Sequence, residues 1–93
     1  MNRYDKAELL KLLDADTIKA LLRLYGIDYK KIAIRFGQTR PAIYYQLKND
    51  SFKDYQREIL LNLFIQNGLE AAELILINKL MTTMKKVKTN EAN

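Results

Sequence analysis

The chain has 93 residues, 48% of them hydrophobic, and its 16 Lys/Arg against 11 Asp/Glu give a net charge of +5. This length fits one small domain, and this hydrophobic content excludes a disordered chain. Because the chain has no cysteine and no histidine, disulfide frameworks, soft-metal sites and histidine-based catalysis are excluded. No apolar run approaches the roughly 20 residues that cross a bilayer, so we expect no membrane partner. We also expect a cytoplasmic protein without a metal, cofactor or small-molecule ligand.

The whole chain predicts an all-α fold of five to six short helices. The first helix is predicted from about Asp5 to Leu13, with Asp5 and Glu8 at the spacing of a capping box. Asp16 then caps a second helix, which ends near Tyr25. The join between these two segments is weakly marked, so one bent helix is the alternative.

Two short helices are predicted next, joined by a tight turn. Asp28 caps a helix over 29–36, and Thr39 caps a second helix over 40–49. Gly37 lies between them and supplies the backbone freedom that such a turn requires. A helix pair of this kind is typical of proteins that place the second helix in a DNA major groove.

The charge of this segment supports the same interpretation. Residues 1–50 carry ten Lys/Arg against six Asp/Glu, whereas residues 51–93 carry six against five. Within 29–48 there is no acidic residue, and the basic ones are Lys30, Lys31, Arg35, Arg40 and Lys48. A polyanionic partner explains this excess; a solvated basic face without a partner is the alternative.

Three residues of the segment carry a family resemblance. With Ala33, Gly37 and Ile43 at this spacing, it resembles the helix-turn-helix of the Cro and repressor superfamily of phage and bacterial regulators. The resemblance implies a helix-turn-helix over about 28–49 whose second helix reads the major groove. Ala33 is then the small residue at the helix crossing, and Ile43 and Leu47 point inward.

Two residues depart from the family pattern. Gln38 follows the glycine, and Gln46 stands three residues after Ile43, although both places are usually apolar. A turn one residue longer, with Tyr44 and Leu47 inward, is therefore the alternative register.

The outward side chains of this segment are the candidate contacts to DNA. An arginine near the start of a recognition helix can bond a guanine edge with two hydrogen bonds, whereas lysines suit phosphate. The predicted base contacts are Gln38, Thr39, Arg40, Pro41, Tyr44 and Tyr45. The predicted phosphate contacts are Tyr29, Lys30, Lys31, Arg35 and Lys48.

Two more helices and a tail complete the prediction. Ser51 with Asp54 opens a fifth helix, which runs to Asn67, and a last helix follows over about 69–86. The last helix has two apolar sides, so one of them is expected to meet another subunit; a wholly buried helix is the alternative. The predicted oligomerisation residues are Leu74, Ile77, Met81 and Met84. Residues 87–93 are predicted as a flexible tail.

The layout after the turn is similar to the lambda CII type of phage activator. The matching features are a helix that ends at Gly68 and a final helix, which such activators use for oligomerisation. This resemblance implies a dimer or tetramer and a role as activator.

Together these features predict a single helical DNA-binding domain over 1–86. We expect a transcriptional regulator of phage, plasmid or mobile-element type, a repressor or an activator, that binds double-stranded DNA as a homo-oligomer, most simply a dimer. The alternative is a protein-interaction module, such as an antitoxin or adaptor, that uses its apolar last helix. An enzyme is not expected, because the close pair Asp14 and Asp16 suits helix capping better than catalysis.

Overall fold

The computed structural model describes the backbone of residues 5–92 and the side chains of residues 5–86. This part of the chain is all-α, which confirms the predicted fold class. Its six helices are α1 (Lys6–Leu10), α2 (Ala15–Leu24), α3 (Tyr29–Phe36), α4 (Arg40–Asn49), α5 (Asp54–Gln66) and α6 (Ala71–Ala92).

The first two helices are separate, and their boundary differs from the prediction. Asp5 caps α1 through the backbone N–H of Ala7, but the helix ends at Leu10, three residues early. The carboxylate of Asp14, not that of Asp16, caps α2, because it accepts from the Thr17 N–H at 2.9 Å. Asp16 lies two residues after the cap, in the first turn of α2, where its carboxylate pairs with the Lys85 ammonium at 3.7 Å.

The bounds of α3 and α4 agree with the prediction, because each helix has the expected cap. The Asp28 carboxylate accepts from the Lys31 N–H at 2.9 Å, and the Thr39 hydroxyl accepts from the Ala42 N–H at 3.4 Å. Between the helices, Gly37 adopts a left-handed backbone with φ of 64°. This conformation lets the next N–H bond back to the carbonyl of Ala33 at 2.9 Å, which closes the end of α3.

One continuous core holds the helices together. α2 packs against both α4 and α6, and α1 packs against α5 and α6. The residues with the least exposed side chains are Leu13, Ile18, Leu21, Ile43, Leu60, Leu61, Phe64 and Leu74. These side chains come from α2, α4, α5, α6 and the turn after α1, and α3 adds the buried Ile32 and Ala33. The α3–α4 pair therefore packs on the same core as the other helices.

The start of α5 lies later than predicted, and it contains a buried polar residue. The helix begins at Asp54, so Ser51 is not its cap. Instead, the Oε1 atom of Gln56 accepts from the Lys53 N–H at 3.0 Å. Its neighbour Tyr55, in the first turn of α5, is exposed.

The inner face of α6 contains residues that we predicted to contact another subunit. Leu74 is fully buried in the core of its own chain, so this part of the prediction is wrong. Ile77 is partly buried against the same core, and Met81 lines a groove beside α2. Of the predicted set only Met84 is well exposed. Both apolar sides have helical spacing, and the docking of α6 on α1 and α2 decides which one is inside.

The C-terminal part of α6 continues past the predicted end at 86. The backbone is helical to Ala92, the side chains beyond Lys86 are not described, and Asn93 lies outside the described residues. The flexibility of 87–93 stays a prediction.

In the described part of the chain, no single helix has the length and apolar character to cross a membrane, although α5 and α6, bent by 119°, meet these criteria as a pair.

α2 and α6 pack against each other, and two interactions show their relative direction. At the end of α2, burial is the main cause that raises the pKa of the Tyr25 phenol, and the nearby charges of Glu73 and Glu70, at the start of α6, raise it further. At the start of α2, Asp16 pairs with Lys85 in a later turn of α6. The two helices thus run in opposite directions.

Candidate nucleic-acid interface

The outer face of α4 is the centre of the candidate site. Ile43 and Leu47 point into the core and are almost fully buried. Their burial leaves the opposite side of the helix to solvent, as the first of the two predicted registers requires. The α4 outer face is formed by Arg40, Pro41, Tyr44, Tyr45 and Lys48, all of which are exposed.

The alternative register is wrong. It places Tyr44 inward, but the Tyr44 and Tyr45 side chains are 61% and 67% exposed. Both tyrosines therefore present most of their ring surface and their hydroxyls to solvent.

One aromatic contact joins α3 to the α4 outer face. The rings of Tyr29 and Tyr44 meet edge to face, with their centroids 4.6 Å apart. Tyr29 is the first residue of α3, so this contact places the N-terminus of α3 beside the outward side chains of α4. The structure thus brings together one predicted phosphate contact and one predicted base contact.

The basic side chains of the α3–α4 segment are exposed. Lys30, Lys31 and Arg35 lie on the outer side of α3, which we call the α3 basic side. Among the described residues, none of these three, nor Arg40 or Lys48, forms a salt bridge. Because no carboxylate in the described part of the chain pairs with them, their charge is available to a polyanion.

The N-terminus of α3 offers backbone donors as well. The Lys31 N–H is bonded to Asp28, but the N–H groups of Tyr29 and Lys30 precede it and have no partner within the helix. A helix N-terminus of this kind binds phosphate oxygens readily. The Asp28 carboxylate lies at the same end and limits this attraction.

Gln38 and Gln46 do not follow the family pattern, and the structure shows where each amide lies. The side-chain oxygen of Gln38 is buried in the turn, so this atom is not exposed on the α4 outer face. The Gln46 amide donates to Oε1 of the buried Gln56 at 3.3 Å. Gln46 therefore ties α4 to α5, and Leu47 takes the core place that the pattern gives to its neighbour.

Thr39 and Ile34 complete the surface. The Thr39 side chain is exposed, and its hydroxyl caps α4. Ile34 is 72% exposed between the cations of α3 and was not among the predicted contacts. The exposure of Ile34 could not be predicted from charge, because its side chain is apolar. Only the way α3 packs on the core shows that this side chain points outward.

The candidate residues have exposed side chains, but few direct contacts connect them in the described structure. Besides the Tyr29–Tyr44 contact, the Asn49 side chain donates a hydrogen bond to the backbone carbonyl of Tyr45 at 2.9 Å. Among the described residues, no hydrogen bond or salt bridge joins Lys31 or Arg35 to the outward side chains of α4. This arrangement suits an extended partner that touches both helices.

Comparison of the chain with models of protein families, with curated proteins and with solved structures found no match. The functional argument therefore depends on the geometry and chemistry of the α3–α4 surface.

Proposed function

We propose that the protein is a sequence-specific regulator that binds double-stranded DNA with α4 in the major groove. The observation that supports this most is the α4 outer face, an exposed arginine–tyrosine–lysine surface on the helix that packs against α3. The three cations of α3 have no salt bridge among the described residues. A major groove admits one α-helix with its outward side chains toward the base edges. The α3 basic side then lies against a phosphate backbone.

The two groups of side chains have different roles in this proposal. Arg40, at the first turn of α4, bonds a guanine edge, and Tyr44 and Tyr45 contact neighbouring bases or thymine methyl groups. Lys30, Lys31, Arg35 and Lys48 bind phosphates, which sets the affinity and the position on the duplex. Tyr29 supports Tyr44 and offers its backbone N–H to a phosphate.

This role agrees with the resemblance to Cro and repressor helix-turn-helix regulators of phage and mobile elements. Three observations support this resemblance: Ala33 and Ile43 are buried, and Gly37 has a left-handed backbone. A regulator of this type would act in the cytoplasm.

The experiment that tests the proposal compares duplex DNA with single-stranded DNA of the same length by fluorescence anisotropy at two salt concentrations. We expect binding to the duplex and a steep loss of affinity with salt, because phosphate contacts release counterions. Equal or tighter binding to the single strand would contradict major-groove recognition and would assign the exposed tyrosines to base stacking.

A protein-interaction module is the second candidate, because α6 exposes a line of large apolar side chains. Such a module needs no DNA. If the folded protein shows no measurable affinity for duplex DNA at low salt, this second function replaces the first.

A further inference from the structure

A groove with an apolar lining lies between α2 and α6, and we call it the α2–α6 groove. Its volume is about 970 Å³, which is within the size range of small-molecule sites. The apolar residues of its lining are Ala20 and Leu24 from α2 and Met81 and Met84 from α6. The Leu24 and Met84 side chains are 60% and 59% exposed, so the domain itself leaves these apolar surfaces uncovered.

The charged residues of the groove lining have an excess of positive charge. They are Lys19, Arg23 and Lys85 against one acid, Asp16. Asp16 pairs with Lys85 at 3.7 Å, whereas neither Lys19 nor Arg23 forms a salt bridge in the described part of the chain. Lys19 and Arg23 are four residues apart on α2, a spacing that places two like charges side by side and is repulsive. An anion bound between them would relieve this repulsion.

The length of the groove selects a short ligand. The Asp16–Lys85 pair bridges its two walls near the start of α2, and Arg23 and Leu24 lie near the end of α2. These ends are about 12 Å apart along the helix, since each residue rises about 1.5 Å. An extended chain such as that of decanoate has this length. A helix of a partner protein is about 10 Å wide and would have to pass over the ionic bridge, so the groove favours the small ligand.

We propose that the α2–α6 groove binds a free carboxylate with an unbranched apolar chain, of the size of decanoate. The chain lies on the apolar lining, where its removal from water drives binding. The carboxylate lies between Lys19 and Arg23, and the Arg23 guanidinium donates two parallel hydrogen bonds to it. The ligand thus covers the exposed apolar side chains and compensates the two cations at once.

The sequence did not predict this site, because its walls come from segments distant in the chain, residues 16–24 and 81–85. Neither segment has a local pattern typical of a ligand site. The inference does not depend on DNA binding, because no residue of the α4 outer face or the α3 basic side lines the groove.

The first test follows the methionine methyl groups by NMR, because two of the three methionines of the chain, Met81 and Met84, line the groove. The full chain, labelled with carbon-13 at these methyl groups, is titrated with decanoate up to about 5 mM without DNA. We expect both signals to shift and to saturate, with a dissociation constant below about 1 mM. Hexanoate should bind at least about tenfold more weakly, because it buries a shorter chain.

The second test examines the charge of the ligand and of the groove. Decyltrimethylammonium has the same chain with a cationic head and should cause no saturable shift. Arg23→Gln and Lys19→Gln should each weaken decanoate binding about two- to tenfold, because each removes an ionic contact at the surface. Lys11→Gln removes an exposed charge outside the groove lining and should leave the affinity unchanged.

The third test locates the site with two matched variants of α6. Met84→Glu places a carboxylate in the groove and should abolish decanoate binding, which is then followed through the Met81 signal. Leu76→Glu adds the same charge at an exposed apolar residue outside the groove lining and should bind like the native chain. Circular dichroism checks that both variants are folded.

Four results would overturn the proposal. They are unchanged Met81 and Met84 signals at the highest decanoate concentration, equally tight binding of the cationic amphiphile, native affinity in Met84→Glu, and a response to an acidic amphipathic peptide helix but not to decanoate. The last result would assign the groove to a protein partner. Decanoate binding by a chain that does not bind duplex DNA would leave this inference intact and reject the proposed function, so the two failures are distinguishable.

Discussion

At the scale of single residues, Arg40 and Lys31 carry the same charge but have different roles in the proposed complex. Both side chains are exposed and lack an ion-pair partner among the described residues. Arg40 begins α4 at the outer face, whereas Lys31 lies in the first turn of α3 on its basic side. In the proposed complex, the first faces base edges and the second faces phosphate.

Replacing Arg40 by alanine should relax base preference by about 1–3 kcal/mol at one position, because a two-bond guanine contact is lost. Lys31→Ala should weaken binding to all sequences alike and lower the salt dependence. Affinities for the preferred duplex and for single-base variants, measured by anisotropy, check both. Lys11→Ala, which removes an exposed charge near α1, is the control and should change neither. Equal losses on all duplexes for Arg40→Ala would reject its role in base recognition.

Gln56 is the second residue whose chemistry can be tested. It is nearly fully buried, and its Oε1 accepts from the Lys53 N–H and from the Gln46 amide. Gln56→Leu leaves both donors without an acceptor, so we expect a loss of about 1–3 kcal/mol in the free energy of unfolding. Gln46→Leu keeps the bond to Lys53 and should cost less than about 0.5 kcal/mol. Urea unfolding measures both, and equal costs would contradict this account.

At the scale of the element, the start of α2 distinguishes two neighbouring acids. Asp14 bonds the Thr17 N–H at 2.9 Å, whereas Asp16 only pairs with Lys85 at the surface. Asp14→Ala should lower the free energy of unfolding by about 1 kcal/mol, because an N-cap is lost. Asp16→Ala removes a surface pair and should cost well under that value. The reverse order in chemical unfolding would show that the cap is misassigned.

The turn between α3 and α4 depends on the backbone of one residue. Gly37 has φ of 64°, and no atom lies within 4 Å of a Cβ built there. Gly37→Ala should therefore destabilise the fold by about 1 kcal/mol through backbone strain alone. Gly37→Asn, which tolerates the left-handed region, should cost less. Thermal unfolding compares them, and a neutral Gly37→Ala would contradict the strain.

Local chemistry explains which elements could be predicted from the sequence. The bounds of α3 and α4 were correct because Asp28, Gly37 and Thr39 are strong local capping residues. The start of α2 was wrong because Asp14 and Asp16 are both suitable caps, and only backbone geometry selects one of them. Local patterns cannot resolve such a choice.

The buried face of α6 and the outward direction of Ile34 could not be predicted for a different reason. Two sides of α6 are apolar, so periodicity alone does not say that Leu74 is inside and Leu76 outside. The contacts of α6 with α1 and α2, distant in sequence, decide this. In the candidate site, the outward α4 residues were predicted correctly because the buried Ile43 and Leu47 determine the opposite face.

At the scale of the whole molecule, positive charge is concentrated on the α3–α4 surface. Four cations, Lys30, Lys31, Arg35 and Lys48, are assigned to phosphates. A plot of log affinity against log salt should therefore have a slope of about −3 to −4 per subunit, from a contribution of about −0.9 per phosphate. Titrations at several salt concentrations measure this slope, and Lys11→Ala should leave it unchanged. A slope near zero would mean that these cations do not contact phosphate.

The central claim, that α4 reads the sequence of duplex DNA, is tested most directly by selecting bound duplexes from a random pool and sequencing them. The native protein should enrich one short motif, present once or as a repeat. Arg40→Ala should bind the pool but lose enrichment at one or two positions of the motif. No enriched motif from folded native protein, at a salt concentration where duplex DNA is bound, would contradict sequence-specific recognition by α4.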